Sequence, residues 1–168
     1  KLMDLIVLGK QVFLLEEISL EQIFEDVGNT LLPMMQKNSC ELEVHAMPVY
    51  VKVEYDLFKT LMLNLVDNAV KAGSTRVRIY AKRKGQDAVI TVADNGCGMK
   101  KEELSRITEA FYMVDKSRSR KLHGAGLGLS IASKIAEVHG TQLLYQSEPG
   151  QGTSVSFSLQ IAEGGEQK

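Results

Sequence analysis

The chain has 168 residues, a formal net charge of −1, and 44% hydrophobic and 24% charged residues. This composition predicts one globular domain with a short appendage, and the near-neutral charge argues against a general nucleic-acid or anionic-membrane binder. Its two cysteines, Cys40 and Cys97, have no C-x-x-C neighbour, which excludes a disulfide framework, argues against a zinc site and suits a reducing compartment. No apolar run reaches the roughly 18 residues that a membrane-spanning helix needs.

The first half of the chain predicts helices separated by short strands. Gly9 is interpreted as closing the end of a helix. Ser19, with Gln22 three residues later, fits a capping box at the start of a longer helix, and Gly73 ends another. The predicted elements are, in order, a helix end, a strand, a helix, two short strands and a helix, at residues 1–9, 12–18, 19–36, 42–44, 49–53 and 56–72.

The second half predicts strands in which apolar and polar residues alternate, at residues 76–82, 90–93 and 154–159, with a further strand around Leu143. Two helices are predicted at residues 101–110 and 127–139. Alternation is typical of antiparallel or mixed sheets with one buried face. We therefore predict an α/β fold, a two-layer α/β sandwich with a mixed, mostly antiparallel sheet and helices on one face. The polar, Gly-rich tail at residues 163–168 is expected to be disordered.

Two amides and an amine share one face of the helix predicted at residues 56–72. At about 100° per residue, Asn64, Asn68 and Lys71 fall within about 60° of one another beside an apolar stripe. Carboxamide oxygens are good ligands of hard cations, and a nearby ammonium suits a phosphate. A solvated helix face would have the same pattern, so the trio alone leaves both interpretations open.

Asp94 follows a strand and shares its buried face. Period-2 alternation places it on the side of Ile90 and Val92, where a carboxylate costs several kcal/mol unless a group donates to it. The exocyclic amine of adenine is such a donor, and Gly96 and Gly98 in the following loop allow close backbone approach. The alternative is a turn aspartate that caps its own loop.

A Gly-rich segment, GAGLGL at residues 124–129, leads into the last predicted helix. The free N–H groups and positive dipole end of a helix N-terminus make such a turn a seat for phosphate, although the chain contains no Walker pattern. The polar stretch before it carries four cations, Lys116, Arg118, Arg120 and Lys121. They indicate either a lid that closes over a polyphosphate or a solvated basic loop.

Five segments occur in an order that resembles the catalytic and ATP-binding domain of bacterial sensor histidine kinases. They are NLVDNAVK (residues 64–71), DNGCG (94–98), Phe111, GAGLGL (124–129) and GQGT (150–153), in the positions of the N, G1, F, G2 and G3 boxes. The wider GHKL superfamily, with its Bergerat fold, also includes DNA gyrase, but GLGLSI at residues 126–131 resembles the histidine kinase version more. The resemblance spans residues 12–162.

At the phosphates, the resemblance implies three roles on the helix at residues 56–72. Asn68 would hold a Mg²⁺ ion, Asn64 would support the phosphates or that ion, and Lys71 would pair with phosphate oxygens. The Gly-rich segment would cradle the phosphates through Gly124, Gly126, Leu127 and Gly128. One of three lid cations would reach the γ-phosphate: Lys116, Arg118 or Arg120.

At the base, Asp94 would accept a hydrogen bond from the adenine amine, in agreement with its place on a buried face. Gly96 and Gly98 would let the backbone approach the base, and Thr153 would close the pocket wall beside it. Phe111 would anchor the hinge of the lid. The implied ligands are therefore ATP and Mg²⁺.

Three positions depart from the family pattern. Residues 54–56 leave the N-cap of the helix at residues 56–72 open. Ala72 replaces a common aromatic residue that would stack on adenine, and Thr141 follows Gly140 where a second glycine is usual.

The largest departure is the missing phosphoacceptor. Such kinases phosphorylate a histidine on a dimerising helical hairpin, and none of His45, His123 and His139 lies on an upstream helix followed by an acid. His45 is expected at the surface, His123 in the lid, and His139 at a helix end, where a cation complements the dipole. We therefore divide the chain into a stub of the upstream dimerisation helix (residues 1–10), the catalytic domain (11–162) and a disordered tail (163–168).

The resemblance implies a sensor protein-histidine kinase, which binds Mg-ATP and transfers the γ-phosphate to a histidine of a separate dimerisation domain in two-component signal transduction. Two alternatives stay open: a GHKL-type ATPase or protein-serine kinase of anti-sigma type, and a nucleotide-sensing module without catalysis. The implied partners are the protein's own dimerisation domain and a response regulator, with no nucleic acid and no membrane contact by this segment. The full-length protein is expected to be a homodimer, either cytoplasmic or the cytoplasmic part of a membrane-anchored sensor.

Overall fold

The computed structural model of the protein describes residues 5–8, 11–106 and 127–166, with the side chains of residues 13–106 and 129–162. The strands in these ranges are β1 Leu5–Leu8, β2 Gln11–Leu14, β3 Glu16–Ser19, β4 Glu41–His45, β5 Val49–Val53, β6 Arg76–Lys84, β7 Asp87–Asp94, β8 Leu144–Glu148 and β9 Gly152–Glu166. The helices are α1 Leu20–Lys37, α2 Tyr55–Lys71, α3 Lys101–Leu104 and α4 Leu127–Val138.

Seven strands form one mixed sheet in the order β3-β5-β9-β7-β6-β4, and β8 pairs with the first part of β9. The pairing of β4 with β6 is parallel, and the other pairings of this sheet are antiparallel. Apolar residues of β6 and β7 line the buried face, where Ile79 lies opposite Val92 and Val77 opposite Asp94. The predicted mixed, mostly antiparallel sheet is confirmed.

The helices cover one face of this sheet. α1 and α2 pack against its strands, and α4 packs against α2. The core between the layers is apolar, and Phe58 of α2 meets Phe157 of β9 edge to face, with ring centroids 6.1 Å apart. The two-layer α/β sandwich is therefore as predicted, and within the helical layer α2 contacts both α1 and α4.

Side-chain caps begin both long helices. Ser19 caps α1 as predicted, and its hydroxyl accepts from the Gln22 N–H at 3.3 Å. Glu54 caps α2, with its carboxylate accepting from the Leu57 N–H at 2.6 Å, which identifies the cap that the sequence left open. An acid at this position also suits the positive end of the helix dipole.

The prediction of a helix at residues 1–9 is wrong over residues 5–8, which form a strand. β1 pairs with β2 in antiparallel register, Leu5 opposite Leu14 and Leu8 opposite Gln11. Two apolar stretches separated by Gly9-Lys10 have the pattern of a hairpin with a two-residue loop, and residues 1–4 and 9–10 lie outside the described residues. The predicted boundary at residue 10 lies between β1 and β2, which pair with each other.

Three other predicted elements differ from the structure. The strand at residues 12–18 is two strands, β2 and β3, which belong to different sheets. The disorder expected from residue 163 is wrong as far as Glu166, because β9 continues to Glu166 opposite Val49, and polar residues and glycines also carry the backbone N–H and C=O groups that pair in a sheet. α3 ends at Leu104 rather than residue 110, since the Ser105 hydroxyl donates to the Glu102 carbonyl at 3.0 Å and competes with the helix. Residues 107–110 lie outside the described ranges.

His139 joins the end of α4 to the start of α2. Its Nδ1 lies 2.8 Å from the Ile135 carbonyl oxygen, and its Nε2 accepts from the Glu54 N–H at 3.1 Å. Only the neutral ring with its proton on Nδ1 satisfies both contacts. Burial lowers the pKa of His139, although the Ile135 carbonyl and the Glu54 charge act in the opposite direction. The predicted role of His139 as a cation at a helix end is therefore wrong.

We expect His139→Ala to destabilise the protein by about 1–3 kcal/mol at pH 8, because it leaves the Glu54 N–H unpaired. The folded-state pKa is below the ordinary value of 6.5, so the stability that the neutral ring contributes is present above about pH 6.5. It is lost as the pH falls through the folded pKa, because the unfolded chain binds the proton first. The deficit of His139→Ala should therefore shrink on acidification.

Urea unfolding at pH 8 and pH 5.5 measures this deficit. His45→Ala is the matched control, because His45 is exposed on β4, and its stability should track that of the wild type at both pH values. An equal deficit of His139→Ala at both pH values would contradict the neutral-ring assignment.

Candidate functional site

Asp94 ends β7 on the helix-facing side of the sheet, opposite the fully buried Val77. Its Oδ1 accepts hydrogen bonds from the backbone N–H groups of Gly96 at 2.8 Å and Thr153 at 3.3 Å. Burial raises the pKa of the Asp94 carboxyl, while these two N–H groups and the Ser74 hydroxyl act in the opposite direction. Oδ1 thus caps the loop, and Oδ2 accepts from neither N–H group. Asp94 can therefore cap its own loop and also accept a hydrogen bond from a ligand.

Backbone hydrogen bonds tie three segments together around this carboxylate: the end of α2, the loop after β7 and the β8–β9 turn. The Cys97 N–H donates to the Ala72 carbonyl at 3.0 Å, and the Gly150 N–H donates to the Cys97 carbonyl at 2.7 Å. Ala72 is the C-cap of α2, one helical turn beyond Asn68. The structure therefore brings the predicted N, G1 and G3 segments together.

Ser147 on β8 is a site-supporting residue that the sequence analysis missed. Its Oγ accepts from the Met99 N–H at 2.8 Å, lies 2.7 Å from Thr153 Oγ1 and donates to the Gly152 carbonyl at 3.0 Å. These contacts fix Thr153 beside Asp94. The sequence pattern that could have identified Ser147 is the alternation along β8, which places Tyr145 and Ser147 on the less exposed side of the strand.

The glycines of these segments are required where backbone packs on backbone. A Cβ on Gly98 would overlap the carbonyl group of Glu148, and a Cβ on Gly152 would overlap that of Asp94. Both glycines have positive φ, 70° and 117°. Gly96 is packed in the same way against the end of α2. The structure thus gives Gly96 and Gly98 a role within the protein in addition to the predicted approach to a base.

α2 carries Asn64, Asn68 and Lys71 at helical spacing, and all three are partly buried. The Asn68 side-chain nitrogen is buried and has no hydrogen-bond partner within the described ranges. Such a group costs about 1–3 kcal/mol and suits a site that receives a polar ligand. Lys71 Nζ pairs with Asp67 at 2.9 Å, with the two side chains 30% and 41% exposed. A pair this exposed contributes less than about 1 kcal/mol, so it does not prevent Lys71 from contacting a phosphate.

Several predicted site residues lie outside the described part of the chain: Phe111, Lys116, Arg118, Arg120, Gly124 and Gly126. Leu127 and Gly128 lie in the first turn of α4, and the Leu127 side chain is also outside the described part. The roles given to the lid and the Gly-rich segment therefore stay predictions. The position of α4 against α2 is consistent with a phosphate seat shared by both helices.

Within the described ranges, no group of three His, Cys, Asp or Glu side chains is suited to hold a metal ion. A cation at the Asn68 amide would take further oxygen ligands, and the oxygens of a bound molecule are one source of them. No helix in the described ranges has both the length and the apolar composition for a membrane span.

Residues 53–163 match the family model described as histidine kinase-, DNA gyrase B- and HSP90-like ATPase. The chain belongs to this ATPase family. The matched residues include α2, the loop after Asp94, α4 and the β8–β9 turn, so the elements that form the candidate site all lie inside the ATPase domain.

The curated relatives of this ATPase domain include sensor histidine kinases. Sensor histidine kinase YkoH of Bacillus subtilis is 35% identical over 90% of this chain and 33% of its own length. Sensor histidine kinase WalK of the same organism is 34% identical over 68% of this chain and 20% of its own length. The chain thus spans a third or less of these two relatives.

Solved structures of the same kind share the fold of this ATPase domain. The nucleotide-free catalytic domain of histidine kinase ThkA has a TM-score of 0.74 at 20% identity, covering 88% of this chain and 95% of that chain. Full-length ShkA in complex with AMPPNP has a TM-score of 0.76 at 26% identity, covering 89% of this chain and 32% of that chain. With the family match, these findings confirm the predicted resemblance to the catalytic and ATP-binding domain of sensor histidine kinases.

Proposed function

We propose that the chain binds Mg-ATP and transfers the γ-phosphate to a histidine on a separate dimerisation domain. The observation that carries the proposal is that a half-buried acceptor, Asp94, and the unpartnered side-chain nitrogen of Asn68, a donor, lie on segments joined through Ala72. The two groups suit the two ends of a nucleotide. The relatives are sensor histidine kinases, which favours transfer to histidine over the alternatives in the superfamily.

At the base end, the Asp94 carboxylate would accept a hydrogen bond from the adenine amine. The backbone donors of Gly96 and Thr153 hold one oxygen in place, so the carboxylate is oriented before the base arrives. Binding needs the ionised carboxylate, and its pKa is raised by burial. Nucleotide affinity should therefore fall on acidification at a higher pH than for an ordinary aspartate.

At the phosphate end, Lys71 and Asn64 would contact phosphate oxygens, together with Gly124, Gly126, Leu127 and Gly128. One of the lid cations Lys116, Arg118 and Arg120 would reach the γ-phosphate, with Phe111 at the hinge. The chain's residues act by positioning and charge neutralisation, because phosphoryl transfer needs little from a protein base. The acceptor imidazole forms the new P–N bond as the bond to ADP breaks.

Asn68 fits a Mg²⁺ site by its chemistry. Its amide is partly buried, and the carboxamide oxygen is a hard ligand of the kind that Mg²⁺ takes. The unpartnered side-chain nitrogen is a donor, which suits a phosphate oxygen and not the ion. Proteins commonly hold Mg²⁺ through one or two side chains plus substrate phosphates, which agrees with the lack of a carboxylate cluster in the described ranges. When bound, the ion would neutralise phosphate charge.

The experiment that tests the function uses the full-length parent protein and γ-labelled ATP. We expect a label on the protein that is lost in acid and kept in base, which is the behaviour of phosphohistidine. An acid-stable label would favour the protein-serine kinase, and release of phosphate without a label would favour the ATPase. Nucleotide binding without either outcome would favour the sensing module.

The remaining proposals concern the whole protein. We propose that it forms a homodimer through the upstream dimerisation domain, passes its phosphate to a response regulator and acts in the cytoplasm, without nucleic acid or membrane contact by this segment. The sensor kinase relatives support the first two statements. Transfer of the label from the phosphorylated protein to an aspartate of a purified response regulator tests the partner.

Asn68→Ala should remove the Mg²⁺ dependence of ATP binding. We expect the wild type to bind ATP more weakly in EDTA than in Mg²⁺, and the variant to bind equally weakly in both, as measured by calorimetry. Asn29→Ala is the matched control, because Asn29 is an exposed amide on α1, and it should behave like the wild type. Equal ATP affinity of the wild type with and without EDTA would contradict the metal role.

A further inference from the structure

Ser74 is a buried hydroxyl between α2 and β6 that the sequence analysis did not use. The residue is 6% exposed, and its Oγ is buried with no hydrogen-bond partner in the described part of the chain. Its N–H donates to the Ala69 carbonyl at 3.3 Å, which holds it against the end of α2. A buried hydroxyl without a partner has lost its hydration and gained no hydrogen bond. A role at the Asp94 site would explain why this position carries a serine.

The hydroxyl lies against the loop that holds Asp94. Ser74 Oγ is 2.8 Å from the position that a Cβ on Gly96 would take. The Gly96 N–H in turn donates to Asp94 Oδ1 at 2.8 Å. A hydrogen bond from the Ser74 hydroxyl would lower the pKa of the Asp94 carboxyl, whereas in this structure the Oγ has no partner in hydrogen-bond geometry within the described residues.

Asn95 locks these two segments to each other. Its Oδ1 accepts from the backbone N–H groups of Thr75 at 2.9 Å and Arg76 at 3.0 Å, and its Nδ2 donates to Thr75 Oγ1 at 2.8 Å. The residue after Ser74 is therefore fixed to the residue after Asp94. This clamp fixes the two backbone segments, so a rotation of the Ser74 side chain between rotamers is the movement that would bring its hydroxyl to the carboxylate.

We propose that Ser74 is a positioning residue for Asp94: its hydroxyl turns to donate to the carboxylate and holds it ionised and oriented for the base. This inference rests on the proposed function of Asp94 as the base acceptor. Ser74 acts through Asp94, since its own Oγ is too buried to contact a ligand directly. Hydrogen bonds to the charged form of a carboxyl lower its pKa.

Apart from Tyr145, which the control variant below changes, titratable or charged groups on the elements around Asp94 include Cys40, Lys71, Arg76, Cys97 and Glu148. The pKa of the Cys40 thiol is raised by burial and by the Asp94 charge. None of these groups is changed in the variants below, so a difference between variants reports on Asp94.

Two titrations of Ser74→Ala test the proposal. By NMR of the Asp94 side-chain carboxyl carbon without nucleotide, we expect the variant to titrate about one pH unit higher than the wild type. In calorimetry with ADP, the pH at which acidification halves the affinity should rise by the same amount. The loss of affinity relative to the wild type should be smaller at pH 8 than at acidic pH. Ser74→Cys, which keeps the shape and a weak donor, should fall between the two.

Tyr145→Phe is the control, because it removes another buried hydroxyl that has no partner within the described ranges. We expect no shift of the Asp94 titration in this variant. An unshifted Asp94 titration in Ser74→Ala, or an equal shift in Tyr145→Phe, would overturn the proposal. If the NMR shift is present but the wild type binds no adenine nucleotide, the positioning role holds and the proposed function fails.

Discussion

Asp94→Asn is expected to weaken the binding of ADP and ATP by about 10- to 100-fold, because hydrogen bonds to charged groups contribute about 1.5–3 kcal/mol. The asparagine oxygen can still accept from the Gly96 and Thr153 N–H groups, so the loop and the fold should be kept. Its NH₂ group replaces the second carboxylate oxygen and directs a donor at the adenine amine, which is also a donor. Calorimetry with ADP measures the affinity, and thermal unfolding checks the fold.

The control for this variant is Asp87→Asn, at the other end of the same strand. It removes the same charge from β7 without touching the loop, and its affinity for ADP should equal that of the wild type. The binding of GTP gives a second readout, because an asparagine NH₂ can donate to the guanine carbonyl. The preference for ATP over GTP should therefore narrow in Asp94→Asn. Unchanged ADP affinity would remove Asp94 from the site.

The parts of the site that the sequence predicted are those determined by periodicity along one element. The buried side of β7 follows from alternation, and the register places Asp94 opposite Val77 on that side. The shared face of Asn64, Asn68 and Lys71 follows from helical spacing within α2. The buried side of β7 and the shared face of α2 each depend on the geometry of one element. The spacing of residues along the sequence was therefore sufficient to predict them.

The parts that the sequence could not predict depend on partners distant along the chain. The ring of His139 is neutral because it accepts from Glu54, 85 residues earlier, whereas a helix end alone favours a cation. The clamp from Asn95 to Thr75 spans 20 residues and exists only because β6 and β7 pair. The first contact follows from the packing of α4 on α2 and the second from strand register, and local sequence patterns show neither.

The hairpin of β1 and β2 shows a different limit. A run of four apolar residues is as compatible with a helix end as with a strand, and its closing glycine suits either. A second apolar run follows and supplies a partner strand, in which Leu14 lies opposite Leu5. This pairing favours the hairpin. The strand conformation of residues 5–8 therefore depends on pairing with residues 11–14 and not on the propensity of residues 5–8 alone.

Gly98→Ala is expected to destabilise the protein by more than about 3 kcal/mol, which corresponds to a fall in Tm of roughly 10 °C. Two costs add at this position. The φ of 70° is unfavourable for a residue with a Cβ, and the new methyl would overlap the Glu148 carbonyl, with the carbonyl carbon 2.7 Å away. The neighbour is backbone, so it cannot move aside as a flexible side chain would.

Gly150→Ala separates these two costs, because Gly150 has a φ of 79° but nothing within 4 Å of the added methyl. We expect this control to lose only about 1–2 kcal/mol, the cost of the left-handed conformation for an L-residue. The difference between the two variants then measures the close approach of the loop after β7 to the β8–β9 turn. That approach also holds Thr153 at Asp94, so Gly98→Ala should lose nucleotide affinity at temperatures where it is still folded, whereas Gly150→Ala should not. Equal losses of stability in both variants would mean that the two segments can separate, and that the Asp94 carboxylate is not oriented before the nucleotide binds.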